Sequence, residues 1–108
     1  LVVSGTTINT GTKIGRHCII NTSCSIDHDN KFSDFSSAGP GVVTGGNVEV
    51  GYQSYLGLGS LVRHKVKILD NTIVGFGSLV NKDCKKNSIY WGSPAKKIRK
   101  RKNNDNYL

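Results

Sequence analysis

Large aliphatic residues recur along this chain at every sixth position. Reading every sixth residue from Val2 to Val80 gives fourteen positions, and eleven of them hold Ile, Val or Leu. Phe32, Ala38 and Thr44 are the exceptions, and they are consecutive in this series. Four residues after each of these positions the side chain is small, and a Gly, Asn or Asp often follows the aliphatic residue directly.

A period of six excludes a helix, because about 3.6 residues per turn would spread the aliphatic residues around the cylinder. An ordinary β-sandwich would show turn signals at a spacing of ~8–12 residues. The pattern therefore predicts an all-β coil of short strands joined by tight turns. Three hexads close one triangular rung of eighteen residues, with the large aliphatic residue in the interior and the small residue in a tighter inner position.

Stacked rungs place residues that are eighteen apart in one column, separated by ~4.8 Å per rung. The column through His28 reads Thr10, His28, Gly46, His64 and Lys82. Glycine lets a ligand approach the backbone closely, and a second glycine precedes Gly46. The hexads with the weak aliphatic positions form the rung between His28 and this glycine pair. The sequence therefore predicts a ligand-binding notch above His28.

A histidine at such a position suits general-base chemistry near neutral pH, although a solvated histidine with no role is the simpler alternative. A metal site shared by His28 and His64 is disfavoured. Two rungs separate them by ~9.6 Å, whereas zinc needs each nitrogen at about 2.0–2.1 Å. No metal is predicted.

The three cysteines are dispersed and form no CxxC motif, so neither a disulfide framework nor a zinc knuckle is indicated. We interpret Cys18, Cys24 and Cys84 as buried fillers of the small inner position. No apolar run reaches the ~20 residues of a membrane span, and no signal peptide is visible. These features predict a reducing, cytoplasmic setting without membrane association.

Four stretches carry a resemblance to a known family: "INTSCSIDHD" at 20–29, "GPGVVTGGNVEVG" at 39–51, "YLGLGSLV" at 55–62 and "GSPAKKI" at 92–98. The chain resembles the hexapeptide-repeat acyltransferases, in particular the sialic-acid O-acetyltransferases and nucleotide-amino-sugar N-acetyltransferases, over residues 5–99. The resemblance implies a left-handed parallel β-helix with a short C-terminal capping segment, and a homotrimer with the site between neighbouring chains.

The resemblance also implies a function. The chain would transfer an acetyl group directly from acetyl-CoA to a sugar or nucleotide sugar, by O- or N-acetylation. His28 matches the family's general base, and Asp29 matches the acidic residue that supports it. Because neighbours on a strand point to opposite faces, Asp29 meets His28 only if the chain bends there, and Asp27 is the alternative partner.

The cofactor contacts of the family carry over to Gly46, Leu58 and the Gly75–Phe76 turn. Many relatives have a second histidine nine residues after the base, and here Ser37 stands in that place. A serine can donate a hydrogen bond to the acetyl oxygen or the thioester. Phe76 replaces the commoner small residue and changes access to the pantetheine arm.

The expected organisation is a β-helix over residues 1–85, a cap over 86–98 and a basic, disordered tail over 99–108. Net charge is +8, and nine of the fifteen Lys and Arg residues lie between Lys82 and Lys102. The run "KKIRKRK" is open to three interpretations: a solvated tail, attraction of the CoA phosphates, or nucleic-acid binding. The last is disfavoured because no aromatic residues interleave with the charges.

Two alternative functions stay open on the sequence alone. The chain could be a catalytically incomplete, structural β-helix that lacks an acceptor-binding domain. It could also be an acetyltransferase for a small non-sugar acceptor. Nothing in the hexads identifies the acceptor.

Overall fold

Short strands joined by four-residue corners make up the structure, a computed structural model that describes residues 1–105. Thirteen strands of two residues are followed by two longer ones within this range. Their bounds are Thr7–Ile8 (β1), Lys13–Ile14 (β2), Ile19–Ile20 (β3), Ser25–Ile26 (β4), Lys31–Phe32 (β5), Ser37–Ala38 (β6), Val43–Thr44 (β7), Glu49–Val50 (β8), Tyr55–Leu56 (β9), Leu61–Val62 (β10), Lys67–Ile68 (β11), Ile73–Val74 (β12), Leu79–Val80 (β13), Ser88–Gly92 (β14) and Ala95–Lys100 (β15).

The strands form three sheets, which are the three flat faces of a prism. Face 1 has the order β1-β4-β7-β10-β13, face 2 has β2-β5-β8-β11, and face 3 has β3-β6-β9-β12-β14-β15. Strands β1 to β13 pair in parallel with partners eighteen residues away, for example Thr7 with Ser25 and Lys13 with Lys31. The predicted left-handed parallel β-helix with eighteen-residue rungs is confirmed.

The corners explain why a chain of L-residues can turn so often. The third residue of each four-residue corner before Val80 adopts the left-handed region, as in Asp29 (φ 54°) and Asn47 (φ 59°). Asn and Asp tolerate this region better than most residues, and glycine fills the same position in other corners, such as Gly41 (φ 71°). The turn formers of the sequence pattern therefore mark the bends of the prism.

The second residue of each strand from β1 to β13 points inward and packs in or against the core. This holds in the three irregular hexads as well, where Phe32, Ala38 and Thr44 are all buried. Phe32 is the largest of the fully buried side chains. The irregular hexads therefore leave the coil intact and change only what the interior is made of.

The last rung is two residues shorter than the others. Ile68 bridges Cys84, and Ile73 pairs with Ile89, so both partners are sixteen residues away. The turn after Val80 is the shortened part, and the Asp83 carboxylate there accepts a hydrogen bond from the Lys67 backbone N–H (2.9 Å). Cys84 consequently stands above Ile68, in the large inner column, and its assignment to the small inner position was wrong.

The C-terminal segment continues face 3 before it reverses. β14 pairs in parallel with β12, and β15 returns antiparallel to β14. β15 runs across the predicted boundary between cap and tail at residues 98 and 99, and the division of the chain into three parts stays a prediction. Residues 106–108 of the predicted tail lie outside the described residues.

Two arginines of the basic run are held by the protein itself. Arg99 makes two hydrogen bonds to the carboxylate of Asp105 (2.7 and 2.9 Å), and these hold the pKa of Asp105 well below its usual range. Arg101 donates to the carbonyl of Gln53 (2.9 Å), on the corner between faces 2 and 3. The three interpretations of the basic run stay open.

The outward surfaces of the faces differ in chemistry. On face 1, Val43, Leu61 and Leu79 stand one above another and are 41%, 46% and 37% exposed. We call these three residues the apolar column. On face 2 the corresponding column is charged: Lys13, Lys31, Glu49 and Lys67. Within residues 1–105, no helix is long and apolar enough to cross a bilayer.

The three thiols provide a test of the interior. Cys18, Cys24 and Cys84 are buried and unpaired. Burial raises the pKa of Cys84 to about 12 and also raises the pKa of Cys24, so the reactive thiolate form is suppressed at mildly alkaline pH. We expect an aromatic disulfide reagent to label none of the three thiols in the native protein and all three after denaturation, measured by absorbance. Rapid labelling of the native protein would contradict the buried placement.

Candidate active site

His28 stands at the corner between faces 1 and 2, which is formed by residues 27–30. Its Nδ1 lies 3.0 Å from Oδ2 of Asp29. Because a carboxylate can only accept, the neutral imidazole carries its proton on Nδ1 and presents its lone pair on Nε2. The two side chains are 53% and 59% exposed, so the imidazole is open to a ligand.

The left-handed conformation of Asp29 is what brings the two side chains together. A regular strand would point adjacent residues to opposite faces, but φ of 54° at Asp29 bends the chain between them. Asp27 plays a different part, because its Oδ1 accepts a hydrogen bond from the backbone N–H of His28 (2.7 Å). Of the two candidate partners named from the sequence, Asp29 is the one that contacts the imidazole.

Two glycines leave room for this pair. A methyl group on Gly46, one rung above, would overlap Nε2 and Cε1 of His28. A methyl group on Gly11, one rung below, would overlap Oδ1 of Asp29. The imidazole therefore lies against bare backbone at Gly46, as the column predicted, and the carboxylate lies against bare backbone at Gly11.

Polar side chains fill the interior behind this corner. Thr44 Oγ1 accepts from the Asp27 backbone N–H (3.3 Å), and Thr12 Oγ1 donates to the Asp27 carbonyl (2.9 Å). Asn30, which is 1% exposed, donates through Nδ2 to the carbonyls of Asp27, His28 and Gly45. The backbone on both sides of His28 is thus fixed from inside the coil.

The other residues predicted to bind the cofactor lie elsewhere on the prism. Leu58 and Phe76 stand one above the other at the corner between faces 3 and 1, and they are 54% and 53% exposed. The Phe76 ring packs edge-on against Trp91 (centroids 4.9 Å apart), and the Trp91 Nε1–H donates to the Phe76 carbonyl (3.1 Å). Gly75 lies beneath the indole, where a methyl group would overlap the ring.

Ser37 lies on face 3, in strand β6, and therefore away from the corner of His28. Its side chain is buried, and its Oγ has no hydrogen-bond partner among residues 1–105. One chain thus brings together His28, Asp29 and Gly46. It places Leu58, Gly75 and Phe76 at another corner and Ser37 on the face that adjoins that corner.

The corner above the notch is positively charged. Arg63, His64 and Lys65 are exposed one rung above Gly46, and the Lys65 backbone N–H donates to the Gly46 carbonyl (2.9 Å). Within the described residues there is no group of three or more His, Cys, Asp or Glu side chains that could hold a metal ion. Exposed basic side chains therefore lie one rung above Gly46, whereas the carboxylates of Asp27 and Asp29 lie one rung below it.

Sequence reasoning missed three residues that shape this corner: Gly11, Asn30 and Thr44. Gly11 is eighteen residues before Asp29, so the same column argument that found Gly46 could have found it. Thr44 and Asn30 were visible only as a loss of aliphatic character and as one more small residue. Their hydrogen bonds depend on the conformation of the corner, which the six-residue pattern does not specify.

No protein-family model matches the chain. Its sequence is similar to a chloramphenicol acetyltransferase of Klebsiella aerogenes, with 39% identity over 67 residues that cover 62% of this chain and 32% of the relative. It is also similar to a putative acetyltransferase of Schizosaccharomyces pombe, with 34% identity over 65% of this chain and 34% of the relative.

Among solved structures, the chain is similar to PerB of Caulobacter crescentus, which was crystallised in complex with CoA and GDP-perosamine. The TM-score is 0.87 and the identity 37%, over 89% of this chain and 47% of PerB. The acetyltransferase domain of PglB from Neisseria gonorrhoeae (TM-score 0.80, 22% identity, 91% of this chain and 57% of that chain) supports the fold. The chain spans a third to about half of the length of the first relatives it matches.

The close contact between the His28 ring and the Gly46 backbone can be tested without an activity assay. We expect Gly46→Ala to push the imidazole away from its position and to break its hydrogen bond with Asp29, because the added methyl group would overlap the ring. The measurement is the pair of ring nitrogen resonances of His28 by NMR, assigned with His28→Gln.

Gly5→Asn is the matched control. Gly5 is the third residue of its corner and has a left-handed φ of 80°, and Asn71 holds the same third position in a different corner with a left-handed φ of 55°. The control should leave the His28 resonances unchanged. Ring resonances in Gly46→Ala identical to those of the parent protein would show that the imidazole does not lie against Gly46.

Proposed function

We propose that this chain, which belongs to the hexapeptide-repeat acyltransferases, is the β-helical part of an acetyltransferase that uses acetyl-CoA and acts on a sugar or nucleotide sugar. One observation carries the proposal most directly. A histidine held by a carboxylate through Nδ1 presents Nε2 beside bare backbone at Gly46, at an exposed corner of the coil.

In the proposed reaction His28 is the general base. The Asp29 carboxylate holds the Nδ1–H, so Nε2 can accept a proton from the hydroxyl or amine of the acceptor. The acceptor oxygen or nitrogen attacks the thioester carbonyl of acetyl-CoA and forms a tetrahedral intermediate. Its collapse breaks the C–S bond and releases the CoA thiolate, which takes up the proton from Nε2. This reaction needs no covalent enzyme intermediate.

The thioester would lie on the solvent-exposed side of the imidazole, because the ring itself fills the space over Gly46. The chain of acetyl-CoA would run up the corner, because the exposed Arg63 and Lys65 on the next rung attract its phosphate groups. Leu58 and Phe76 would contact the apolar part of the pantetheine arm, and Gly75 supports the Phe76 turn. Ser37 Oγ is buried and unpartnered, so a hydrogen bond from it to the acetyl group would require its side chain to be uncovered in the assembled site.

These two groups of residues lie on different corners of one prism, so the proposed site needs a second copy of the chain. We place His28, Asp29 and Gly46 on one chain and Ser37, Leu58, Gly75 and Phe76 on its neighbour in a homotrimer. The apolar column of face 1 supports this assembly, since Val43, Leu61 and Leu79 are large, exposed and adjacent to one another. The charged column of face 2 would stay in solvent.

The similarity to chloramphenicol acetyltransferase favours one alternative acceptor class, a small non-sugar alcohol. The similarity to PerB, whose structure contains GDP-perosamine, favours a nucleotide amino sugar. A structural β-helix that lacks an acceptor domain would bind acetyl-CoA without turnover. The cytoplasmic location expected from the cysteines stays a prediction.

The catalytic assignment is tested by a transfer screen. The protein and acetyl-CoA are incubated with nucleotide amino sugars, simple sugars and chloramphenicol, and both free CoA thiol and acetylated product are measured. We expect His28→Ala to lower kcat by ~10²–10⁴-fold, the range of general-base contributions. Asp29→Asn should lower it by a smaller factor, because the imidazole stays but its acceptor loses the negative charge.

Full activity of His28→Ala on the acceptor that the parent protein acetylates would overturn the role of His28. Binding of acetyl-CoA without product on every acceptor would favour the structural alternative.

The assembly is tested at the centre of the apolar column. We expect the parent protein to sediment as a trimer and Leu61→Lys to sediment as a monomer, because three buried lysines would repel one another across the interface. Acetyl transfer should be lost with the trimer, since each site would lose the residues of the neighbour. Sedimentation velocity and the transfer assay are the measurements.

Lys31→Glu on face 2 is the control and should change neither the sedimentation coefficient nor the activity. An active monomer would contradict the shared site.

A further inference from the structure

Asn30 makes an unusual set of contacts directly behind His28. Its Nδ2 donates to the carbonyls of Asp27 (3.1 Å) and His28 (3.2 Å) in its own corner, and to the carbonyl of Gly45 (2.9 Å) in the corner above. One amide group therefore joins the backbone beneath the imidazole to the backbone that forms the bare wall of the notch.

Packing alone does not require an amide at this position. Thr12, Val48 and Val66 occupy the same inner column on other rungs, and both valines are buried. Valine therefore fits this part of the coil without any hydrogen bond. An asparagine there buries a polar group, which is unfavourable unless its hydrogen bonds offset the cost.

The two ends of the Asn30 amide are satisfied very differently. The Nδ2 group has three carbonyl partners, whereas Oδ1 is buried with no partner among residues 1–105. Reversing the amide would turn an oxygen towards three carbonyl oxygens, so the three contacts fix its orientation. The N–H groups of Asn30 are therefore fully used, whereas its oxygen is left unsatisfied.

The contacts bear on the geometry of the notch. Two hydrogen bonds link this corner to the one above: the Asn47 backbone N–H donates to the His28 carbonyl (3.0 Å), and Asn30 Nδ2 donates to the Gly45 carbonyl (2.9 Å). Both hold His28 and the Gly45–Gly46 backbone at their separation, and the bond from Asn30 is the one made by a side chain. It also holds the peptide groups that flank His28.

We propose that Asn30 is a positioning residue, which holds the His28 corner and the Gly45–Gly46 corner at the separation needed for proton transfer. The proposal rests on the proposed function, in which Nε2 of His28 must meet the acceptor beside Gly46. Asn30 itself touches neither acetyl-CoA nor the acceptor, and it acts through the backbone of Asp27, His28 and Gly45.

Thr72 provides a matched control at the corner between faces 2 and 3. Its Oγ1 donates to a carbonyl of its own corner, Asp70 (3.3 Å), and to one in the corner above, Lys85 (2.7 Å). Its backbone N–H donates to Ser54 Oγ (3.0 Å), just as the Asn30 N–H donates to Thr12 Oγ1 (3.2 Å). Thr72 is thus the same kind of link, far from His28.

The experiment compares Asn30→Val, Asn30→Thr and Thr72→Val with the parent protein. We expect Asn30→Val to lower kcat by about 10²-fold, the loss that a misplacement of ~1 Å can cause, with the KM for acetyl-CoA unchanged. Asn30→Thr should recover most of kcat, because threonine restores a donor to the neighbouring carbonyls. Thr72→Val should lower the thermal midpoint without lowering kcat.

A second measurement does not depend on turnover. The ring nitrogen resonances of His28 should report the Nδ1–H form in the parent protein and a mixture of both neutral forms in Asn30→Val, because a loosened corner weakens the bond to Asp29. If the parent protein acetylates no acceptor, the proposed function fails, and the resonances still decide whether Asn30 positions the ring.

The proposal is overturned by either of two results. One is a kcat and a His28 ring spectrum in Asn30→Val equal to those of the parent protein. The other is an equal loss of kcat in Asn30→Val and Thr72→Val that follows their thermal midpoints, because that would make Asn30 a stabilising link only.

Discussion

The vertical hydrogen bonding between rungs is the constraint on which the rest of this structure depends. Strands β1 to β13 are only two residues long, so none of them is stable by itself, and each takes its position from the strands eighteen residues away. This spacing converts sequence separation into spatial contact. It is the reason that His28, Gly46 and the carbonyl contacts of Asn30 meet, although they are far apart along the chain.

The same constraint explains how a polar site is built into an apolar coil. Most inner positions are filled by Ile, Val and Leu, whose burial stabilises the stack. Behind His28 the inner positions are Thr12, Asn30 and Thr44, and each of them hydrogen-bonds to the backbone of the corner. At this corner, hydrogen bonds from polar side chains replace apolar contacts. Because hydrogen bonds are directional, they fix the backbone beside His28.

The sequence predicted the coil, the column through His28 and the room at Gly46, because all three follow from the six-residue period. It left Asp27 and Asp29 as alternatives, because the choice depends on one left-handed residue and not on the period. It also misplaced Cys84, since a rung shortened by two residues has no signal in the aliphatic pattern. The six-residue period determines which residues stack on one another. The backbone conformation of each corner determines which of the neighbouring side chains come into contact.

The charged edge strand β15 has a consequence for solubility. A parallel stack of rungs ends in unpaired backbone groups, to which another coil could add and so begin a fibre. β15 instead runs antiparallel at the end of face 3, and its outermost position in that sheet is occupied by the sequence "AKKIRK". Two copies of this edge that approach each other would bring like charges together, so the lysines and arginine of β15 disfavour pairing between β15 strands of two molecules.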